Sequence, residues 1–147
     1  MSHVRTQIRQ AVVTLLRNQT SAGSRVYASR VHPLDDPKLP ALLVYTPQES
    51  VGNPTMQRPR TQARQLQLVI EGYLKARGEI DDDADQLAAE VEQRIAADPT
   101  LGGLVKDAML DVTTTQLSGE GEKPIAVLSL TFAVLYTVKE NAPQIAV

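Results

Sequence analysis

Gln65-Leu-Gln-Leu-Val-Ile-Glu-Gly-Tyr-Leu-Lys75 is the stretch on which the fold turns. Leu66, Leu68, Ile70, Gly72 and Leu74 alternate with Gln65, Gln67, Val69, Glu71 and Tyr73, the period of a strand with one apolar and one mixed face. Ala76–Glu79 follows as a turn carrying Gly78. Asp81, Asp82 and Asp83 then open a run in which Ala84, Leu87, Ala88, Val91 and Ile95 recur at helical spacing. Asp98-Pro99 ends that run, because a residue before proline is pushed out of the helical region. A strand followed at once by a helix with a single apolar stripe must lay that stripe on the sheet.

On the N-terminal side, Ser2–Asn18 reads as an amphipathic helix. Val4, Ile8, Val12 and Leu15 form its stripe, Arg5, Arg9 and Arg17 its wet side, and Ser2 its cap. Arg25–Arg30 reads as a short strand. Ala41–Thr46 reads as a second one, its unbroken apolar run suggesting burial on both faces. Pro47–Gln62, with Gly52, Asn53-Pro54 and Pro59, reads as a long polar loop bearing Arg58 and Arg60, with Arg64 at its base. On the C-terminal side, Asp107–Leu117 reads as a threonine-rich strand and Ser118–Pro124 as a hairpin loop. Ile125–Val138 is the strongest strand, with Leu128, Leu130, Phe132, Val134, Tyr136 and Val138 on its core face. From Lys139 a flexible tail is expected. The order α-β-β-β-α-β-β predicts an α+β fold: one domain over residues 1–147, built as a mixed, mostly antiparallel sheet of about five strands with two helices on a face.

Composition narrows the chemistry. The chain has no cysteine and two histidines in 147 residues, so thiolate metal sites and disulfides are excluded and a zinc site is disfavoured. No apolar run approaches a membrane span, and an apolar signal core is missing, which points to a protein made and used in a cytoplasm or in a particle assembled there. Charge is divided. Residues 1–78 carry 11 Lys/Arg against 4 Asp/Glu, and residues 79–147 carry 4 against 13, that is +7 and −9 for a net −2. Such a division suits a basic face for nucleic acid, two surfaces that pair head to tail between copies, or charges that intermingle on folding.

Catalytic motifs are wanting: there is no nucleophile elbow, phosphate loop or paired-histidine zinc motif. Asp81, Asp82, Asp83 and Asp85 are the one carboxylate cluster. They suit the positive end of a helix dipole, with a divalent-ion site or a small enzyme's acid/base pair as the competing reading. Gly102-Gly103 reads as a turn. Arg58, Arg60 and Arg64 could meet phosphates, a partner's carboxylates or only solvent. With no Trp and one Phe, stacking on single-stranded nucleic acid has little to work with.

In order, Arg25-Val-Tyr, Leu39-Pro-Ala-Leu-Leu-Val-Tyr, Arg64-Gln-Leu-Gln-Leu-Val-Ile-Glu-Gly-Tyr, Asp81-Asp-Asp-Ala-Asp-Gln-Leu, Asp98-Pro-Thr-Leu-Gly-Gly-Leu and the closing Leu135-Tyr resemble the tail terminator proteins of long-tailed bacteriophages, the lambda-like minor tail protein group. The resemblance spans nearly the whole chain. It implies a non-enzymatic virion protein without cofactor, forming a ring, typically a homohexamer, at the head-proximal end of the tail. The ring would stop tube polymerisation and receive the head-completion proteins, with double-stranded DNA passing through its hole and no membrane involved. Other tail and neck completion proteins share that architecture. Compatible with such a ring, Arg58, Arg60 and Arg64 could face a partner or the lumen, and Asp81, Asp82 and Asp83 either only cap their helix or lie at a subunit contact.

Overall fold

The computed structural model describes residues 1–31, 39–76, 78–118 and 124–147. In chain order these form α1 (Val4–Leu16), β1 (Val26–Tyr27), β2 (Ala41–Gly52), β3 (Thr61–Lys75), α2 (Ile80–Ala97), β4 (Asp107–Ser118), β5 (Ile125–Lys139) and β6 (Ala142–Ala146). The sheet runs β1-β2-β3-β5-β4, and β6 adds to β5. β1 is parallel to β2, and the remaining pairings are antiparallel. Since β3 and β4 both oppose β5, they run parallel to each other, and α2 carries the chain from one to the other. The expected α+β architecture is the observed one, with six strands.

Both helices lie on one face. Val4, Ile8, Val12, Val13 and Leu16 of α1 join Ala84, Leu87, Ala88, Val91 and Ile95 of α2 in a single core. The sheet meets them with Leu66, Leu68, Ile70 and Leu74 of β3 and with the even residues of β5 from Ala126 to Val138. Over β5 buried and half-buried residues alternate without a break, so only one face has a helix layer above it. Transfer of these side chains from water, about 1.5–3 kcal/mol for each large one, is the main stabilisation. Gly102 and Gly103 close the turn after α2 at φ 71° and 90°, a region an L side chain resists, as expected of a turn pair.

Several boundaries differ from the sequence reading. Pro47–Gln62 is not one long loop: β2 continues to Gly52 and β3 begins at Thr61, leaving residues 53–60 as the connector. The alternation is interrupted because Tyr45 pairs with Val69 but Gln48 with Gln67, so Thr46 and Pro47 supply one residue more than β3 spends. Proline lacks the ladder donor and is tolerated at such a bulge, here where β1 no longer flanks β2. The residues from Lys139 are not a loose tail either. Ala142–Ala146 pairs with β5, Val147 N–H donates to Thr137 O at 2.9 Å, and Gln7 Nε2 donates to Gln144 O at 2.8 Å. β1 has two residues rather than six. His3, not Ser2, caps α1, its Nδ1 accepting from Arg5 N–H at 3.1 Å. Residues 119–123 of the expected hairpin loop, residue 77 of the expected turn, and residues 32–38 between the first two expected strands lie outside the described residues.

Candidate assembly surfaces

The arginines grouped by sequence part company in space. Arg58 is exposed in the 53–60 connector. Arg60 sits where that connector is clipped to the β5–β6 turn: its N–H donates to Glu140 Oε1 at 3.0 Å, Glu140 N–H donates back to Arg60 O at 2.9 Å, and the guanidinium lies 3.6 Å from Glu140 Oε2. The Arg60 backbone donor, more than its charge, holds the Glu140 carboxyl below its ordinary range. Arg64 is elsewhere. As an even residue of β3 it points to the helix face, with a side chain 11% exposed, and does not share the connector's exposure.

Arg64 belongs to a polar cluster that sequence reasoning missed. Its Nη1 donates to Glu49 Oε1 at 3.0 Å, and Arg5 Nη1 reaches the same oxygen at 2.7 Å. Tyr136 O–H donates to Glu49 Oε2, and Arg64 Nη2 donates to Gln62 Oε1 at 2.7 Å. The cluster ties α1, β2, β3 and β5 together at the rim of the apolar core. Burial first, then the hydrogen bond to Glu49, pushes the Tyr136 hydroxyl up to about 12. Burial and the neighbouring cations Arg5 and Arg64 keep the His3 ring below its usual value, favouring the neutral form that an accepting Nδ1 requires. Two arginines expected on the wet side of the first helix also have partners: Arg9 of α1 donates to Thr46 Oγ1 at 2.6 Å, and Arg17, just past its end, to Val26 O at 2.8 Å.

Asp81, Asp82 and Asp83 occupy the exposed first turn of α2. No side chain caps that end, so the acids act on the unpaired amides through the dipole. Among the described residues no three His, Asp or Glu side chains converge as a metal-holding group would.

The face of the sheet away from the helices has two parts. Near the start of β2, Leu43 and Val69 are buried at 2% and 6% exposure beside Tyr45 and Tyr73, whose hydroxyls both donate to Glu71, the latter at 2.6 Å. The Arg30 guanidinium lies 5.1 Å from the Tyr45 ring centroid. Toward the other end the face is a shallow trough lined by Gln48, Ser50, Gln65, Gln67, Thr131 and Ala133, with Asp111 at its side. Uncharged amides and hydroxyls offer contact area and hydrogen bonds but no nucleophile–base pair.

With both helices on one side, the sheet presents an open face whose trough is lined by uncharged amides and hydroxyls, beside a cluster of structural ion pairs at Glu49. Residues 3–136 match the family model of phage minor tail protein U, and the chain belongs to that family. The family gives it a structural role in a phage tail. A chain of the virion of a native gene transfer agent particle is similar at 15% identity and a TM-score of 0.44, covering 91% of this chain and 99% of that one. No curated sequence matches.

Proposed function

We propose that this protein closes the tail tube as a ring of identical subunits, ends tube polymerisation and presents the surface to which the head is joined. The observation that carries the reading is family membership across residues 3–136, nearly the whole fold. The sheet supports it: with both helices on one face, each copy keeps a wide face and two unlike edges for neighbours. The +7 and −9 division between chain halves suits head-to-tail contacts. In this reading the ring is a homohexamer at the head-proximal end, its neighbours are the tube protein below and a head-completion protein above, and duplex DNA passes through without base recognition. Assembly takes place in the host cytoplasm. Arg58 and Arg60 face one of those partners or the lumen, and Asp81, Asp82 and Asp83 lie near a contact between subunits.

The test is tail length. Tails assembled without this protein are expected to grow to uncontrolled lengths and to remain unjoined to heads; adding the protein back restores both. Tubes of normal, uniform length in its absence overturn the capping role, and a ring of other than six copies on tails overturns the hexamer.

A further inference from the structure

Residues 1–31 contain five arginines and no aspartate or glutamate. Arg5 meets the Glu49 carboxylate, Arg17 the Val26 carbonyl and Arg25 the Pro40 carbonyl. Arg9 and Arg30 have no carboxylate or carbonyl acceptor among the described residues. These two line one cleft of about 210 Å³ at the edge of β2, together with Ser29, Tyr45 and Thr46. The cleft exists because β1 ends early. It pairs with β2 only at Leu42 and Leu43, and Ala28–Arg30 then leaves the sheet. Arg9 comes to that edge from α1, on the helix side. Tyr45 turns to the other face, and the Arg30 guanidinium lies 5.1 Å from its ring centroid. The two cations therefore approach the edge from opposite sides of the sheet.

Arg9 is held there without being neutralised. Its Nη1 donates to Thr46 Oγ1 at 2.6 Å and its Nη2 to Thr6 Oγ1 at 3.2 Å. Both acceptors are uncharged hydroxyls, and the other N–H groups of the fork remain for a further acceptor. Burial first, and then the charge of Arg5, makes the protonated guanidinium less favourable here than in water. A cation drawn partly out of water is ordinarily paired, because its lost hydration has to be replaced. The carboxylates of the adjoining strands are engaged elsewhere. Glu49 accepts from Arg5, Arg64 and Tyr136, and Glu71 accepts from the hydroxyls of Tyr45 and Tyr73. Among the described residues no carboxylate lines the cleft.

We infer that this cleft binds a phosphate group, with Arg9 and Arg30 closing on it from opposite walls. The Thr46 hydroxyl, whose oxygen already accepts from Arg9, has its proton left to donate as a third contact. A carboxylate presents its oxygens in one plane, whereas donors on two walls and a floor suit the spread of oxygens on a tetrahedral group. The acid-free stretch of residues 1–31 adds a positive field that draws an anion in. The inference does not depend on the ring reading. The phosphate comes either as the free ion or as part of a nucleic-acid backbone, and the chemistry at the cleft is the same.

The test is titration of the full chain with inorganic phosphate against sodium chloride at equal ionic strength. The readouts are the arginine Nε–H signals by heteronuclear NMR and the thermal midpoint. The Arg9 and Arg30 signals are expected to shift saturably, and the midpoint to rise with phosphate. Arg30→Gln, at an exposed position, should leave the midpoint in chloride nearly unchanged and weaken phosphate binding roughly tenfold. Arg9→Gln should weaken it as much. Arg58→Gln, at an exposed arginine outside the cleft, should bind phosphate like the unaltered protein. A response lost equally in Arg58→Gln is general screening and overturns the proposal, as does a phosphate titration indistinguishable from chloride. Binding that appears only after Asp35→Asn with Asp36→Asn also overturns it, since the chain's own carboxylates are then the anion. Short duplex DNA separates the two sources. Displacement of bound phosphate with shifts of the same two signals assigns nucleic-acid phosphate, and DNA without effect on them assigns the free ion.

Discussion

Gly72 lies directly beneath Leu87: a Cβ built on the glycine would stand 2.8 Å from Leu87 Cδ2, with Leu42 Cδ2 at 3.5 Å and Leu128 Cβ at 3.7 Å. α2 therefore rests on β3 at the one position of the β3 core face that carries no side chain. Gly72→Ala is expected to destabilise the fold by about 1–2 kcal/mol, since Leu87 is buried and has little room to yield, and Gly72→Val by more. The check is the urea midpoint of each variant; a stabilised Gly72→Ala protein would show the helix free to lift.

Glu49 is the shared acceptor of Arg5, Arg64 and Tyr136, with a side chain only 9% exposed. Glu49→Ala leaves the Arg64 guanidinium enclosed without its counter-charge and is expected to cost about 3 kcal/mol. Arg5→Ala should cost less, under about 1 kcal/mol, because that side chain is 38% exposed and well screened. Chemical denaturation of the two variants gives the ratio; equal costs would mean that Arg64 finds another partner.

Alkaline pH should loosen the protein. Burial, then the hydrogen bond to a carboxylate, raises Tyr136 and Tyr45 to about 12 and Tyr73 further. The unfolded chain gives up these protons near pH 10 while the folded one keeps them. It then binds fewer protons than the native state, and stability falls as pH rises from about 10 to 12. A urea midpoint lower at pH 11 than at pH 8 is expected, with tyrosinate absorbance appearing together with unfolding. Since the chain has four tyrosines, absorbance from more than one of them near pH 10 in a fully folded protein contradicts the three held hydroxyls.

At the first turn of α2, Asp82→Asn removes one exposed charge from the positive end of the helix and should cost about 0.3–1 kcal/mol at low salt. The loss should shrink in high salt. If these acids also lie at a subunit contact, the triple Asp→Asn change at 81–83 weakens self-association beyond what its stability loss explains, as sedimentation at matched folded fraction would reveal.

Arg58→Ala with Arg60→Ala should leave the fold nearly unchanged, because the Arg60–Glu140 ion pair is screened by solvent and the Arg60 N–H that also holds Glu140 belongs to the backbone. The proposed role predicts tails of normal length that join heads poorly. Fully infectious particles from the double variant make the connector a plain link between β2 and β3.

What the sequence revealed follows the reach of the core. β3, α2 and β5 were legible because a helix layer covers one face of each strand along most of its length, so apolar and polar residues alternate at the structural period. Beyond Thr46 the ladder of β2 goes on while its side chains turn polar, as in Gln48 opposite Gln67 and Ser50 opposite Gln65. Ladder hydrogen bonds need no apolar side chain, so periodicity faded before the strand did. β6 was hidden by its shortness and by Pro143. Arg64 was grouped with Arg58 and Arg60 by nearness in the chain, although it shares parity with Leu66, Leu68 and Ile70. That parity was the signal for its inward turn. Glu49 gave no such signal, because its phase depends on the bulge.

That bulge makes β2 behave like a reading frame. Upstream of Thr46 the odd residues Leu43 and Tyr45 face away from the helices; downstream the even residues Gln48 and Ser50 do, and Glu49 comes round to meet Arg5 and Arg64. Removing one residue at Thr46–Pro47 would close the bulge and leave a single residue opposite Leu68, with Gln48 still opposite Gln67 and Glu49 still turned toward Arg5 and Arg64. The extra residue is a spare count: it lets the parity of β2 change midway without moving any partner on β3.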